Sequence, residues 1–520
     1  MFTYLNKIYN QIKNLYNIKT HINNIYKTFQ NDEIDDINNI DNYNQIKLFE
    51  SLKKLIFESG SLYIKFFQWY ISKLKSTIIN NNITTNDSTK KNIEIKNTLK
   101  FINYFEDIFE QCPYHTLEHT INVFKESMYG ISIGDYVDIT TLRAIASGSI
   151  GQVYYAKRKR DGIDIAIKVK HPNIETDLEN QYELIKLFKI IQSISYFRAK
   201  YNLLFNIDDF LEDINLQCDF NNEANNTNMF IQNFKDSSHF IIFPEPLYQS
   251  KDLLISKYIE GNSINTLTDM QKYHTSLNFI CFFKQMLFVD NFIHGDLHCK
   301  NWKVRYNEET KNAQMIVYDC GICFKNIYPD LTHKFWLSLI NYDIETLITL
   351  LKEFIKNSNG KHIINFDDEN INNKFDTDIR IILKEIIKKS MGTSIVMNSI
   401  LNFFRMNNII IHKFLLNFTI LVCVIEEYMK SNNLIDKNIN KNISMFDVIN
   451  DCQLDIISFC EVKKCYPKLK KIFEIQVKDN FKKYKDNNEI NKLECNVTNN
   501  ESKKLFSSIS LSGLTFKPPV

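Results

Sequence analysis

The stretch His294-Gly295-Asp296-Leu297-His298-Cys299-Lys300-Asn301, followed by Met315-Ile316-Val317-Tyr318-Asp319-Cys320-Gly321, decides how the rest of the chain is read. A carboxylate stands four residues short of an amide, and a second carboxylate arrives at the end of an apolar run. Phosphoryl transfer asks little covalent chemistry of a protein; it needs a positioned base and ligands for Mg²⁺, a hard cation that prefers oxygen. Asp296 suits the base, and Asn301 and Asp319 suit the metal. A single D-x-x-x-x-N belongs as often to an ordinary polar loop. The ordered pair on either side of a hydrophobic strand is much rarer, and it points to a nucleotide site.

The spacing is that of the catalytic loop H-R-D-x-x-x-x-N and the D-F-G of protein kinases. Upstream, Ala144-Ile-Ala-Ser147-Gly148-Ser149-Ile150-Gly151-Gln152-Val153-Tyr-Tyr-Ala156 reads as strand, tight loop of small residues, strand. Small residues let backbone N–H groups approach phosphate oxygens closely. Asp161-Gly162 signals a hairpin turn into the alternating strand Ile165-Ala-Ile-Lys168-Val169, which resembles the V-A-I-K strand whose Lys meets the α/β-phosphates. Such a Lys needs a carboxylate to orient it. Glu175, Glu179, Glu183 and Glu223 are candidates, and spacing alone does not choose among them. Phe243–Tyr248 and Leu253–Gly261 read as two further strands and a turn that complete the sheet and lead, through a hinge, into helices.

With 520 residues and 44% hydrophobic content, the chain has room for two to four domains or one large bilobal unit. Gly 12 and Pro 8 favour long helices over a turn-rich β protein. Lys+Arg 63 against Asp+Glu 61 gives no reason to expect a nucleic-acid partner. Eleven Cys without a paired framework, and no cleavable secretory signal, point to a reducing, intracellular compartment. Cys320-x-x-Cys323 overlaps the Asp319 turn without a second pair, and reads as coincidence. Residues 1–30 carry no acid and four Lys, with apolar positions at helical spacing. That pattern reads as an amphipathic helix packing on its own protein rather than a presequence, which would be richer in Arg and Ser. No apolar run reaches the ~18 to 20 residues of a spanning helix. Phe414–Ile425, the nearest, reads as a buried helix.

Ile46–Lys75 reads as helix and contains Lys65 and Gln68 on one face. Asn80–Thr98 reads as a polar loop. His115-Thr-Leu-Glu-His119 matches H-x-x-E-H, an inverted zinc-protease motif. Without an evident third ligand it reads instead as a surface helix after Pro113. Phe282–Phe292 reads as a helix running into the catalytic loop, and Phe335–Ile355, Ile379–Lys389 and Ile395–Lys430 as helices beyond Asp319. No A-P-E follows, and the interval leaves little room for a peptide-docking activation segment. The tail beyond Lys430 is charged and Asn-rich.

Taken together, Ser149-Ile-Gly-Gln-Val153, Ala166-Ile-Lys168-Val-Lys-His-Pro172, Glu223-Ala-Asn225, Tyr258-Ile-Glu-Gly261, His294-Gly-Asp296 through Asn301, and Asp319-Cys-Gly321 resemble the UbiB/ADCK family of atypical kinases over residues 50–430. The resemblance implies an α+β, bilobal protein-kinase-like fold with a small β-rich N-lobe, a helical C-lobe and an N-terminal helical extension. The corresponding divisions are an extension at 1–130, an N-lobe at 131–262, a C-lobe at 263–430 and a tail at 431–520. It implies MgATP as cofactor, with Ser147–Val153 and Lys168 binding the nucleotide, Asn301 and Asp319 the Mg²⁺, and Asp296 accepting a proton. It also points to Glu223 as partner of Lys168. Family members carry a K-x-G-Q helix that folds over the active site and an E-x-D element. Lys65-Phe-Phe-Gln68 and Gln217-Cys-Asp219 stand in those places, which gives Lys65, Gln68 and Asp219 regulatory roles. Three residues depart from the pattern: Phe67 stands for Gly, Gly148 for Ala and Gln217 for Glu.

By the same resemblance, the activity is an ATPase or phosphotransferase tied to isoprenoid-quinone lipid metabolism, with a lipid or quinone-pathway partner and peripheral membrane contact. Two rival readings exist. His294-Gly-Asp-Leu-His-x-x-Asn301 is closer to the loop of small-molecule kinases of the aminoglycoside or choline type, which lack S-I-G-Q-V. The altered K-x-x-Q and Q-x-D elements suit a nucleotide-gated scaffold with little turnover.

Overall fold

The structure, a computed structural model, describes residues 13–25 except 15, 39–71 except 69 and 70, and 89–179 except 106, 107, 109 and 110. It also describes 207–268 except 236, 237 and 239 and, with interruptions, 271–422. Glu183 and the tail 431–520 lie outside the described residues. The fold is α+β, and the chain divides into two compact units: Met1–Asn228 with Pro244–Ile259, and Met229–Phe243 with Glu260–Val520. The N-terminal helices and the large sheet thus fall in one unit.

The first unit opens with helical residues 16–25, then α1 (Asn39–Ser59), helical residues 61–68 and α2 (Thr89–Phe105). Gly60 separates the second and third of these at φ +101°, a conformation open chiefly to glycine, so the single helix expected over 46–75 is broken there. The loop expected over 80–98 is corrected by α2. Phe101, Ile102 and Phe105 at its far end are buried against Phe49, Leu52 and Ile56, and that apolar packing carries a polar first half into the helix. Residues 80–88 lie outside the described residues. Ile18, Ile22 and Ile25 pack on the same cluster, so this amphipathic segment covers its own protein.

Next come α3 (Leu117–Ser127) and an antiparallel sheet built from β1 (Val137–Ser147), β2 (Gly151–Arg158) and β3 (Asp164–Lys170). The chain continues through α4 (Ile207–Gln217) and α5 (Phe220–Asn233), and through β4 (Ile241–Ile242) of the second unit. Then β5 (Pro246–Gln249) and β6 (Leu253–Lys257) complete the sheet in the order β1-β2-β3-β6-β5. Strand alternation decides which side chains enter the core. Ile165, Ile167 and Val169 of β3 join Leu253 and Ile255 of β6 beneath Phe124 of α3. Ala166 and Lys168 therefore face the other way. At the β2–β3 turn Gly162 takes φ +71°, and Asp161 holds the Arg158 guanidinium through two hydrogen bonds.

In the second unit, β7 (Phe292–His294) pairs with β10 (Cys323–Lys325), and β8 (Trp302–Asn307) with β9 (Asn312–Val317), to which β4 adds in parallel. The helix expected over 282–292 ends early: the Asp290 N–H reaches back five residues to Gln285 O in a wide final turn, and β7 follows. Phe230, Phe234, Phe243, Phe282 and Phe292 form a buried aromatic cluster, with ring centroids 4.8 to 5.2 Å apart for the closest pairs. Four helices follow, α6 (Pro329–Ile340), α7 (Ile344–Lys356), α8 (Glu369–Lys388) and α9 (Thr393–Met406). The expected helix 335–355 is split because Asp343 caps a new one, its Oδ1 accepting the Thr346 N–H at 3.1 Å. The helix expected over 395–430 is interrupted at Asn407, whose backbone N–H and side-chain amide both donate to Phe403 O. Phe414, Leu415, Phe418, Leu421 and Val422 are buried, and no helix among the described residues is long and apolar enough to cross a membrane.

Phe67 occupies core space rather than merely replacing a small residue. Its ring lies 4.9 Å from that of Phe105 and 6.1 Å from that of Phe101. Replacing it with the family's glycine removes a buried ring from a helix, and Phe67→Gly is expected to cost about 3 to 5 kcal/mol, read as a drop in denaturation midpoint.

Candidate active site

In the first unit, residues 148–151 form the tip of the β1–β2 hairpin, closed by Gly148 N–H to Gly151 O at 2.9 Å. Gly151 is required by space: a Cβ there would lie 2.8 Å from Val169 O and 3.0 Å from Phe220 Cζ. Gly148 has no positive φ, so its backbone does not demand glycine. Ser147 O accepts from Cys112 N–H, and Ile150 O from His171 N–H. Among the described residues, the N–H groups of Ser149 and Ile150 have no hydrogen-bond partner. Two unspent donors at a tight hairpin tip are what a phosphate group can use.

Behind the tip, Lys168 Nζ lies 2.6 Å from Glu223 Oε2, with side-chain exposures of 18% and 8%. Phe220 underlies the ammonium, 5.1 Å from ring centroid to Nζ. Glu223 is placed by the first turn of α5, where Asp219 Oδ1 accepts the Asn221 N–H at 3.0 Å and so caps the helix. Of the alternative acids, Glu175 turns instead to Lys170 (2.8 Å) and Lys251 (3.1 Å). Burial opposes its charge, but Lys170 and Lys251 hold its pKa at about 2. Glu179 is exposed.

The remaining residues expected here make the following contacts. Gln68 is buried and donates to Ile108 O. Lys65 is half-buried, and its charge reaches Cys218, whose thiol burial pushes up to about 11 against the pull of Lys170 and Lys65. Gln217 bonds back to Asp213 O in its own helix. Val153 pairs with Lys168 across the sheet. Gln152 is buried and spends its amide on the His115 N–H (2.9 Å) and the Tyr154 hydroxyl (2.6 Å).

That last contact leads to a group the sequence left unassembled. His115 is not on the helix with His119, because Thr116 caps α3 and the helix starts at Leu117. The His115 ring meets His171 instead, with Nδ1 to Nδ1 at 2.7 Å, and its Nε2 meets Thr120 Oγ1 at 2.8 Å. His119 Nε2 donates to Lys170 O. No set of three or more His, Cys, Asp and Glu among the described residues is placed to hold a metal ion. The H-x-x-E-H match is thus half of a hydrogen-bond cluster. Its signal in the sequence was His171, seen only as part of Lys170-His-Pro172.

In the second unit, β7 and β10 hold the two motifs together. Gly295 N–H donates to Ile322 O, and a Cβ on Gly295 would lie 2.8 Å from Ile322 Cγ2. Asn301 is buried; its Nδ2 donates to Asp296 O at 2.7 Å and its own carbonyl accepts Tyr318 N–H at 2.8 Å. Its Oδ1 accepts nothing among the described residues. Asp319 sits at φ +46°, a strained left-handed conformation relieved in part by the Gly321 N–H on its Oδ1. His298 takes the Lys300 N–H on Nδ1 and turns Nε2 toward Asp296 Oδ2, 3.7 Å away. His294 is buried and accepts the Asp296 N–H on Nδ1. Burial opposes its charge, but neighbouring Cys320, Asp296 and Asp319 raise its pKa.

Residues 107–351 match the ABC1 atypical kinase-like domain. A strand Lys paired with a helix Glu, an Asp–Asn loop and a D-x-G turn make this an atypical kinase-like protein. These features and the match support the UbiB/ADCK resemblance over this part of the chain. It is 30% identical over 260 residues to the probable serine/threonine-protein kinase abkC of Dictyostelium discoideum, covering 48% of this chain and 34% of that one. It is 24% identical over 268 residues to the AarF domain-containing protein kinase 1 of Mus musculus, covering 49% and 48%. The chain thus spans 34% to 48% of the length of these relatives. Among solved structures, the Rio2 kinase–ADP/Mg²⁺–phosphoaspartate complex of Chaetomium thermophilum aligns with 10% identity and a TM-score of 0.26, over 61% of this chain and 94% of that one.

Burial, with His171 and His119 nearby, lowers the pKa of His115 to about 4. The unfolded chain binds this proton near the ordinary value of about 6.5, so the stabilisation is complete above that pH and is lost as pH falls toward 4. Between those limits wild type is expected to lose stability relative to His115→Gln, a difference that paired denaturation curves at each pH will read.

Proposed function

We propose that this chain binds MgATP and either transfers its γ-phosphoryl group to an acceptor or hydrolyses it. The observation that carries the reading is the part-buried Lys168–Glu223 pair in the sheet whose hairpin tip has two unspent N–H donors. When bound, MgATP supplies the labile phosphoryl group and the cation that offsets its charge. The donor set suits it: Asn301 Oδ1 and the Asp319 carboxylate are hard oxygen ligands.

The Ser149 and Ile150 N–H groups would donate to phosphate oxygens, and Lys168 would hold the α/β-phosphates. Glu223 directs the Lys168 ammonium. Asn301 and Asp319 would hold Mg²⁺. Asp296 would accept the proton of an acceptor hydroxyl, or of a water if the reaction is hydrolysis. His298 steadies the Asp296 carboxylate from one side. A place in isoprenoid-quinone lipid metabolism, with a lipid or quinone-pathway partner at a membrane surface, rests on the family resemblance alone.

MgATP at ~100 times its dissociation constant should stabilise wild type by about 2.7 kcal/mol, seen as a rise in Tm. Asp319→Asn is expected to lose that rise and the turnover with it. Asp296→Asn should keep the rise and lose about 100-fold or more in turnover. Undiminished hydrolysis by Asp296→Asn would move the protein to a nucleotide-gated scaffold. No MgATP-dependent rise in wild type would sink the nucleotide reading.

A further inference from the structure

Gly148 carries the one carbonyl of the hairpin tip that a side chain grips: His171 Nε2 lies 3.0 Å from Gly148 O. The same residue holds the loop a second time through its backbone, N–H to Ile150 O at 2.9 Å. Within a trans peptide the C=O and the next N–H point in opposite directions. Drawing Gly148 O toward His171 therefore turns the Ser149 N–H away from it, and that N–H has no hydrogen-bond partner among the described residues.

The proton order of this contact is fixed along a chain of neighbours. A carbonyl only accepts, so His171 carries its proton on Nε2, and in a neutral ring its Nδ1 is bare. That nitrogen accepts the Nδ1–H of His115 at 2.7 Å, which leaves His115 Nε2 bare for the Thr120 hydroxyl at 2.8 Å. The Thr120 oxygen then accepts the Tyr154 hydroxyl at 2.7 Å, and the Tyr154 oxygen accepts Gln152 Nε2–H at 2.6 Å. The amide's other end, Oε1, accepts the backbone N–H of His115 at 2.9 Å. Both ends of the chain are backbone groups that cannot exchange roles. Reversing the chain would flip the Gln152 amide and set its NH₂ against the His115 N–H. One arrangement satisfies every member.

We infer that His171 is a positioning residue for the phosphate-facing loop, held in the Nε2–H tautomer by a one-way relay from Gln152 through Tyr154, Thr120 and His115. The inference rests on the nucleotide reading of that loop. It also explains why the Gln of Ser149-Ile-Gly-Gln152 is buried behind the tip: it orients the group that orients the loop. Burial lowers the pKa of both His115 and His171, in keeping with two neutral rings.

The test uses the full chain in three measurements. Nitrogen-15 NMR of histidine-labelled protein should show the proton of His115 on Nδ1 and that of His171 on Nε2. Hydrogen exchange over Gly148–Gln152 should quicken in His171→Ala without nucleotide. Losing one hydrogen bond to the loop should raise KM for MgATP about three- to tenfold, with kcat changed less than about twofold. His171→Gln, which keeps a donor at similar reach, should recover most of both effects, and Thr120→Val should show them in weaker form. His171 protonated on Nδ1 in wild type, or His171→Ala with wild-type exchange and KM, would overturn the inference. If the tautomers and the exchange behave as expected while wild type binds no MgATP, the relay stands as the loop's support and the nucleotide reading falls instead. If His171→Ala does not fold, the wild-type tautomers and the Gln and Val variants decide the matter.

Discussion

An ammonium group on a strand whose other face builds the core is tolerable only with a carboxylate against it. An isolated buried charge costs several kcal/mol, and the loss of one partner exposes that cost. Lys168 therefore depends on Glu223, and Glu223 depends on where α5 begins. Asp219 fixes that beginning as cap, Phe220 closes over the ammonium, and Gly151 leaves the room that Phe220 needs. A single electrostatic requirement thus ties the hairpin, the central strand and a helix 55 residues further on.

The second unit fixes its polar groups by local hydrogen bonds. Asn301 divides its amide, with the nitrogen spent on Asp296 O and the oxygen left over. Asp319 accepts a left-handed backbone to reach its place, and a hydrogen bond from Gly321 offsets part of the strain. Neither arrangement is a matter of affinity alone. Each keeps a group oriented before anything binds.

Much of this was legible in the sequence because it follows from local pattern. The alternation Ile165-Ala-Ile-Lys-Val announced a strand with Lys168 on its outer face, and Asp161-Gly162 announced the turn before it. The carboxylate opposite Lys168 was not legible from spacing, since Glu175 lies closer along the chain and only the packing of α5 on the sheet separates it from Glu223. The helix over 89–105 was missed because its polar half gives no signal; Phe101, Ile102 and Phe105 hold it through contacts with α1 that no local window contains. His115 and His171, 56 residues apart, meet through the sheet, and no spacing rule unites them. The helix boundaries at Asp343 and Asn407 were open to a reading of caps, and hydrophobic periodicity overrode them.

Gly151 has a mechanical consequence. With Val169 O and the Phe220 ring already where a methyl group would stand, the hairpin, the Lys168 strand and the start of α5 have no slack between them. Hinges need a gap or a soft contact to bend at, and close-packed backbone against an aromatic edge offers neither. These three pieces travel as one lever. Whatever displaces the Phe220 end of α5 is felt at the hairpin tip, so the shape of that tip is set by the seating of a helix some seventy residues downstream.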